Sequence, residues 1–157
     1  MEVRLGSLLR DAQEAQGTAI IIDVFRAFTT AAIAFDRGAE RIILVAEVEE
    51  ALALQHRGVG DILMGEVAGA KPDGFDFGNS PHEIFETDGA NLAGKTIVQS
   101  TRAGTVGVVA ASQAQKIYLG SLVVAQATVD AIRDENPELV SIVAMGDQAE
   151  IRNDEDE

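Results

Sequence analysis

The chain has 157 residues, a length that suits one domain with a single sizeable core, and its apolar fraction of 46% with only 4% aromatics means a core of Ala, Val, Ile and Leu with a few Phe. Twelve basic residues against 26 acidic ones leave a formal charge of −14, which repels phosphate backbones and anionic lipid and argues against nucleic-acid and membrane partners. The absence of cysteine excludes disulfides, thiolate metal sites and cysteine nucleophiles, and fits a reduced cytoplasm.

The N-terminal segment, residues 1–17, is charged at intervals and holds no apolar stretch of signal-peptide or membrane-span length. Residues 18–24 form a near-continuous apolar run that reads as a central strand. Phe28, Ala31, Ala32 and Phe35 follow at helical spacing until Gly38, which predicts a helix over 26–37. Further strands are expected at 41–45, 61–65, 95–99, 116–119 and 139–144. Helices are expected at 48–57, 105–114 and 122–133, the last with Leu122, Ala125, Val129 and Ile132 as an apolar stripe. Such alternation implies an α/β fold, three layers in the order α/β/α around a largely parallel sheet with right-handed crossovers.

Residues 66–81 interrupt the pattern with glycine and proline and read as a long ordered loop. At its end Ser80, Pro81 and Glu83 form a capping box that starts a short helix reaching about residue 85. The acidic tail at 152–157 reads as a solvated end. His56 falls on a surface helix in a solvated role, His82 lies beside the capping box, and Phe25, Phe28 and Phe35 are core by default, with Phe77 a candidate pocket wall.

Three segments combine polar side chains with strand exits, where α/β proteins build ligand sites: IDVFRAFTT, GFDFGNSP and QSTRAGT. In the first, Asp23 could ligate a divalent cation and Arg26 could grip an oxyanion with its planar fork, or the pair could be a helix cap and an ordinary ion pair. In the third, Thr101, Arg102, Gly104 and Thr105 make a hydroxyl-rich turn before a helix, suited to phosphate or to simple capping. Glu66 follows a strand end as Asp23 does, so the two carboxylates could share a rim suited to Mg2+. Lys71 is a further cation, and Asn79 and Ser80 could orient a substrate or merely shape the loop. In so acidic a chain, any site for a small anion must gather local cations from Arg, Lys or a metal.

Several phosphate chemistries are excluded by residue type. No cysteinyl-phosphate route exists, and Phe25 stands where an aspartyl-phosphate phosphatase of the haloacid dehalogenase type would carry a second Asp. The order His56-Arg57-Gly58 is not that of histidine phosphatases, and no phosphate-binding loop of the nucleotide-binding kind is present.

Asp23-Val24-Phe25-Arg26, Gly65-Glu66, the string from Gly74 to Pro81, Gly94-Lys95-Thr96, Ser100-Thr101 with Gly104-Thr105, and Gly120-Ser121 together resemble the 2-phosphosulfolactate phosphatase family. The likeness runs from about residue 17 to the end, with Arg102-Ala103 departing from the small and polar residues usual in that turn. Members of that family continue past the equivalent of residue 157, so the resemblance implies one domain over 1–157 that is a truncated form, incomplete at its C-terminus. It further implies a cytoplasmic, Mg2+-dependent hydrolase that cleaves 2-phospho-3-sulfolactate to 3-sulfolactate and phosphate, a step toward coenzyme M.

The implied catalytic residues are Asp23, Arg26 and Glu66, with Mg2+ held by Asp23, Glu66 and Asp156. Substrate would be bound by Thr30, Lys71, Asn79, Ser80, Thr101, Arg102, Gly104, Thr105 and Ser121, and either Asp23 or Glu66 would serve as general base. The competing expectation is a non-catalytic module, or inactive fragment, that binds a phosphorylated metabolite. A sheet edge left unpaired by truncation would be a route to a homodimer.

Overall fold

A computed structural model describes residues 1–146. Among these residues seven strands, β1 (Glu2–Ser7), β2 (Thr18–Ile22), β3 (Arg41–Val45), β4 (Ile62–Gly65), β5 (Thr96–Ser100), β6 (Lys116–Gly120) and β7 (Leu139–Ala144), alternate with six helices. The helices are α1 (Leu8–Gln13), α2 (Ala27–Asp36), α3 (Val48–His56), α4 (Pro81–Glu86), α5 (Gly104–Ala110) and α6 (Ala125–Glu135). All strand pairs are parallel, as α/β alternation requires, but they fall into two hydrogen-bonded sets, ordered β1-β7-β2-β6 and β3-β5-β4.

The side-chain period of two explains how helices cover both faces of the three-stranded set. Ile62, Met64 and Ile97 point one way, onto Ala34 of α2 and Ile84 of α4. Leu63, Val98 and Val45 point the other way, onto Ala51 of α3 and Phe75 of the long loop. In the four-stranded set Ala19, Ile21 and Val143 meet Ala12, Ala15 and Ala111 from the α1 and α5 regions, with Phe28 of α2 completing the cluster. Small alanines at these contacts let helices lie close to the strands, which suits a core poor in aromatics.

Most boundaries match the expectations, and the differences have local causes. α5 ends at Ala110, earlier than expected, because Val106, Val108 and Val109 are β-branched and Gly107 sits among them, all weak helix formers. The expected helix over 122–133 opens as a 3-10 turn, Leu122–Val124, before α6 begins. Its apolar stripe is not a buried one: Leu122 is 74% and Val129 42% exposed, while Thr128 and Ile132 face inward. β1 and α1 lie in the N-terminal stretch, whose interrupted hydropathy carries neither period clearly. Of the phenylalanines expected in the core only Phe28 is fully buried; Phe35 is about half exposed and Phe25 is 90% exposed. Gly38 ends α2 with a φ of 96°, the left-handed conformation its position predicts.

The loop from 66 to 80 is held from within. Asp76 Oδ2 accepts from the Leu63 amide at 2.8 Å, Val67 and Ala70 exchange backbone bonds, and Phe75 is driven into the core. Ser80 Oγ accepts from the Glu83 amide at 3.3 Å with Pro81 in the first turn, as the capping box requires. The Glu83 carboxylate reaches back to the Gly78 amide at 3.0 Å, which ties the loop to α4. Among the described residues no helix is long and apolar enough to cross a membrane.

Candidate active site

In both sets the strands end level with one another. Ile22 lies beside Gly120 and Ala144, and Ser100 beside Val45 and Gly65. The residues that follow these ends line a cleft of about 920 Å3 that draws on both strand sets. Its walls include Asp23, Phe25 and Arg26 after β2, Glu66, Ala68 and Gly69 after β4, Asn79 before α4, Arg102 and Ala103 after β5, and Ala144 to Gly146 at the end of β7. Carboxyl ends of parallel strands collect such residues because every chain there turns away and leaves a crevice.

Asp23 is the most constrained of them, with 8% of its surface exposed. Its Oδ1 accepts from the Ala27 amide at 3.1 Å, so it caps the first turn of α2, and the Gly104 amide at the start of α5 also donates to it. Burial raises its pKa above the ordinary 3.8 and the neighbouring Glu66 charge raises it further, while the two amides and the Arg26 charge pull it down. Gly104 is required here: a Cβ on it would stand 2.7 Å from Asp23 Oδ2.

Glu66 is fixed from two sides. Its Oε1 accepts from the Arg102 amide at 3.1 Å and its Oε2 from the Gly69 amide at 2.7 Å. The Arg102 and Gly104 amides of this turn, expected to be open to phosphate, therefore already hold carboxylates of the chain itself. The turn's part in the site is to pin two carboxylates on one rim, and Arg26 and Arg102 are the basic residues among the walls of the cleft.

The two threonines of this turn close on each other. Thr105 Oγ1 accepts from the Thr101 amide at 2.8 Å and donates to the Thr101 carbonyl at 2.7 Å, while the Thr105 amide donates to Thr101 Oγ1 at 3.2 Å. Both are fully buried and set the shape of the turn. Thr30 is buried in α2 and donates to the Arg26 carbonyl at 2.9 Å, one turn behind the cleft. Lys71 is exposed, with Nζ 3.3 Å from the Asp76 carbonyl, and Ser80 caps α4; neither is a wall of the cleft. Ser121 follows β6 and is buried, its Oγ without a partner among the described residues. Asp156 lies outside the described residues.

Asn79 is both a cleft wall and 6% exposed, and its Oδ1 has no hydrogen-bond partner among the described residues. A buried amide oxygen left open in this way is costly unless something binds it. Asn79, Asp23 and Glu66 all line the cleft and carry oxygen donors, the ligand type that Mg2+ takes, and Mg2+ needs only one or two carboxylates when water and phosphate supply the rest. Among the described residues no three carboxylates or histidines converge on a single metal position.

Sequence reasoning did not find Phe25, Gly69 or the 144–146 segment as parts of the site. The first two are side-chain and amide positions with no chemical signature of their own. The third could have been found by noting that 139–144 must be parallel to 18–22 and end beside it.

Fold and site together define a parallel α/β protein with a cleft at its strand carboxyl ends, walled by paired carboxylates and guanidinium groups. The family profile of 2-phosphosulpholactate phosphatase matches residues 7–156. The chain is 39% identical over 128 residues to a probable 2-phosphosulfolactate phosphatase of Thermus thermophilus, covering 81% of this chain and 52% of that one. It is 40% identical over 121 residues to the protein of the same description from Carboxydothermus hydrogenoformans, covering 77% and 49%, and 35% identical over 127 residues to that of Bacillus subtilis, covering 80% and 54%. The chain belongs to the 2-phosphosulfolactate phosphatase family, and it spans about half the length of these curated relatives.

Proposed function

We propose that the cleft binds 2-phospho-3-sulfolactate and hydrolyses it to 3-sulfolactate and phosphate, as a cytoplasmic step toward coenzyme M. The observation that carries this reading is the meeting of Asp23, Arg26, Glu66, Asn79 and Arg102 around one cleft in a chain of charge −14. A substrate with phosphate, sulfonate and carboxylate groups would be expelled by the molecule's overall field, so it needs concentrated local cations. Arg26 and Arg102 supply guanidinium groups that match such oxyanions in bidentate fashion.

Mg2+ would be held by Asp23 and Glu66, with Asp156 as a further ligand, and when bound it would offset phosphoryl charge. In the hydrolysis, a water oxygen bonds to phosphorus as the bond from phosphorus to the C2 oxygen breaks, and that oxygen takes a proton to become the hydroxyl of sulfolactate. One proton of the attacking water goes to a carboxylate. Asp23 and Glu66 are both candidates for that carboxylate, the one that does not hold the cation taking the proton: burial raises the Asp23 pKa, and Glu66 is fixed by amides on both oxygens. Asn79 Oδ1, buried at the cleft and without a partner among the described residues, would accept from the water or from the product hydroxyl.

Phosphate release from 2-phosphosulfolactate, measured with and without Mg2+, tests this directly. Arg26→Ala should lower kcat/KM by at least about 100-fold, which equals roughly 2.8 kcal/mol of lost transition-state binding. An unchanged rate would overturn the assignment. The second reading, a module that binds the phosphorylated metabolite without turnover, is favoured by the Arg102 and Gly104 amides, which hold Glu66 and Asp23 and are not open to a transferring phosphoryl group. Saturable binding with no phosphate release, with or without Mg2+, would support it.

A further inference from the structure

We infer that the free edge of β1 is a docking surface for a second copy of this chain, the two β1 strands pairing antiparallel about a two-fold axis through Val3. Among the described residues β1 is an outer strand of its set, and every one of its residues except Gly6 is exposed. The Glu2 amide donates to the Glu138 carbonyl at 2.7 Å, so Glu2, Arg4 and Gly6 turn their backbone groups toward β7. Val3 and Leu5 then turn theirs outward, while the Ser7 amide is taken by Asp11 Oδ2 at 2.7 Å. An edge of this kind is a template for another strand; β1 carries no proline, and its two charges, Glu2 and Arg4, are of opposite sign and so can pair across the edge.

The side chains select both the occupant and the register. Only outward-facing residues can pair with each other across such an edge, so Val3 and Leu5 set the choices. Pairing centred between Val3 and Leu5 sets Arg4 against Arg4, which repels. Pairing centred on Leu5 faces Arg4 with Gly6 and leaves Glu2 unopposed. Pairing centred on Val3 sets Glu2 opposite Arg4 in both directions, Val3 opposite Val3 and Met1 opposite Leu5. On one face the Glu2–Arg4 ion pair of each strand, 2.8 Å within the strand, joins that of the other in an alternating cluster of charge. On the other face Met1, Val3 and Leu5, which are 69%, 48% and 81% exposed, line up with their counterparts. Each Val3 amide would donate to the Val3 carbonyl of the second copy and each Leu5 amide to its Met1 carbonyl. The contact is isologous and closes as a dimer.

The test is sedimentation equilibrium of the whole chain and of charge variants at exposed positions, which leave the core untouched. The wild type should dimerise with concentration, Arg4→Glu should weaken the dimer by about tenfold or more, and Glu2→Arg combined with Arg4→Glu should restore it. Amide exchange at Val3 and Leu5 should slow as concentration rises. A monomer at every concentration would overturn the inference, as would a dimer indifferent to Arg4→Glu, which places the interface elsewhere. Protected Val3 and Leu5 amides in a monomer would overturn it too, because the edge would then be covered from within the chain.

Discussion

Replacing Gly104 by alanine probes the contact on which the site's geometry rests. The new Cβ would stand 2.7 Å from Asp23 Oδ2, 2.9 Å from Ala27 Cβ and 3.0 Å from Asp23 Cβ, where ordinary contact starts at 3.4 Å. Asp23 and the start of α2 must therefore retreat by about 0.7 Å, and Ala27 is fully buried with nowhere to yield. Overpacking of this kind costs about 1–3 kcal/mol, read by urea unfolding. Because misplacement by about 1 Å can lower catalysis by about 100-fold, the proposed function predicts that phosphate release from 2-phosphosulfolactate falls by roughly 10- to 100-fold. Gly89→Ala is the control: its Cβ would meet only the Arg37 carbonyl, at 3.5 Å, and stability should move by less than about 0.5 kcal/mol. A Gly104→Ala protein with unchanged stability and unchanged turnover would refute the claim that Gly104 holds Asp23 in place.

Asp23 should also leave a signature in the pH dependence of stability. Its pKa is raised in the folded state by burial, so the folded chain keeps the proton more tightly than the unfolded one. Stability relative to Asp23→Asn should thus be greatest below the ordinary carboxylate pKa and fall as pH rises through the raised value; a slope of the opposite sign in urea unfolding across that window would count against it. Thr105→Val removes the acceptor of the buried Thr101 amide and should cost about 1–3 kcal/mol by chemical denaturation, with a near-neutral result showing that water can replace it. Ser80→Ala deletes the cap of α4 and should cost about 1 kcal/mol, measured the same way, with no loss at all indicating that Glu83 and Pro81 suffice.

The sequence by itself determined what is local or periodic. Apolar runs and helical spacings located β2, β3, β4, β5, β6 and β7 to within a residue or two, and Ser80-Pro81-His82-Glu83 announced its own cap. The placing of Asp23 and Glu66 at strand exits was legible too, because an abrupt change from apolar run to carboxylate marks where a parallel strand leaves the sheet. Only the tertiary structure decided which partners those residues meet. That the Arg102 and Gly104 amides face Glu66 and Asp23, that Thr101 and Thr105 satisfy each other, and that Lys71 stands outside the cleft are results of packing between distant segments. Burial likewise escaped the local pattern: Phe25 is exposed and Phe75 buried although each is a phenylalanine followed directly by a charged residue, Arg26 or Asp76. The period of a chain fixes which way a side chain points from its own element, while what lies in that direction depends on the neighbours the fold supplies.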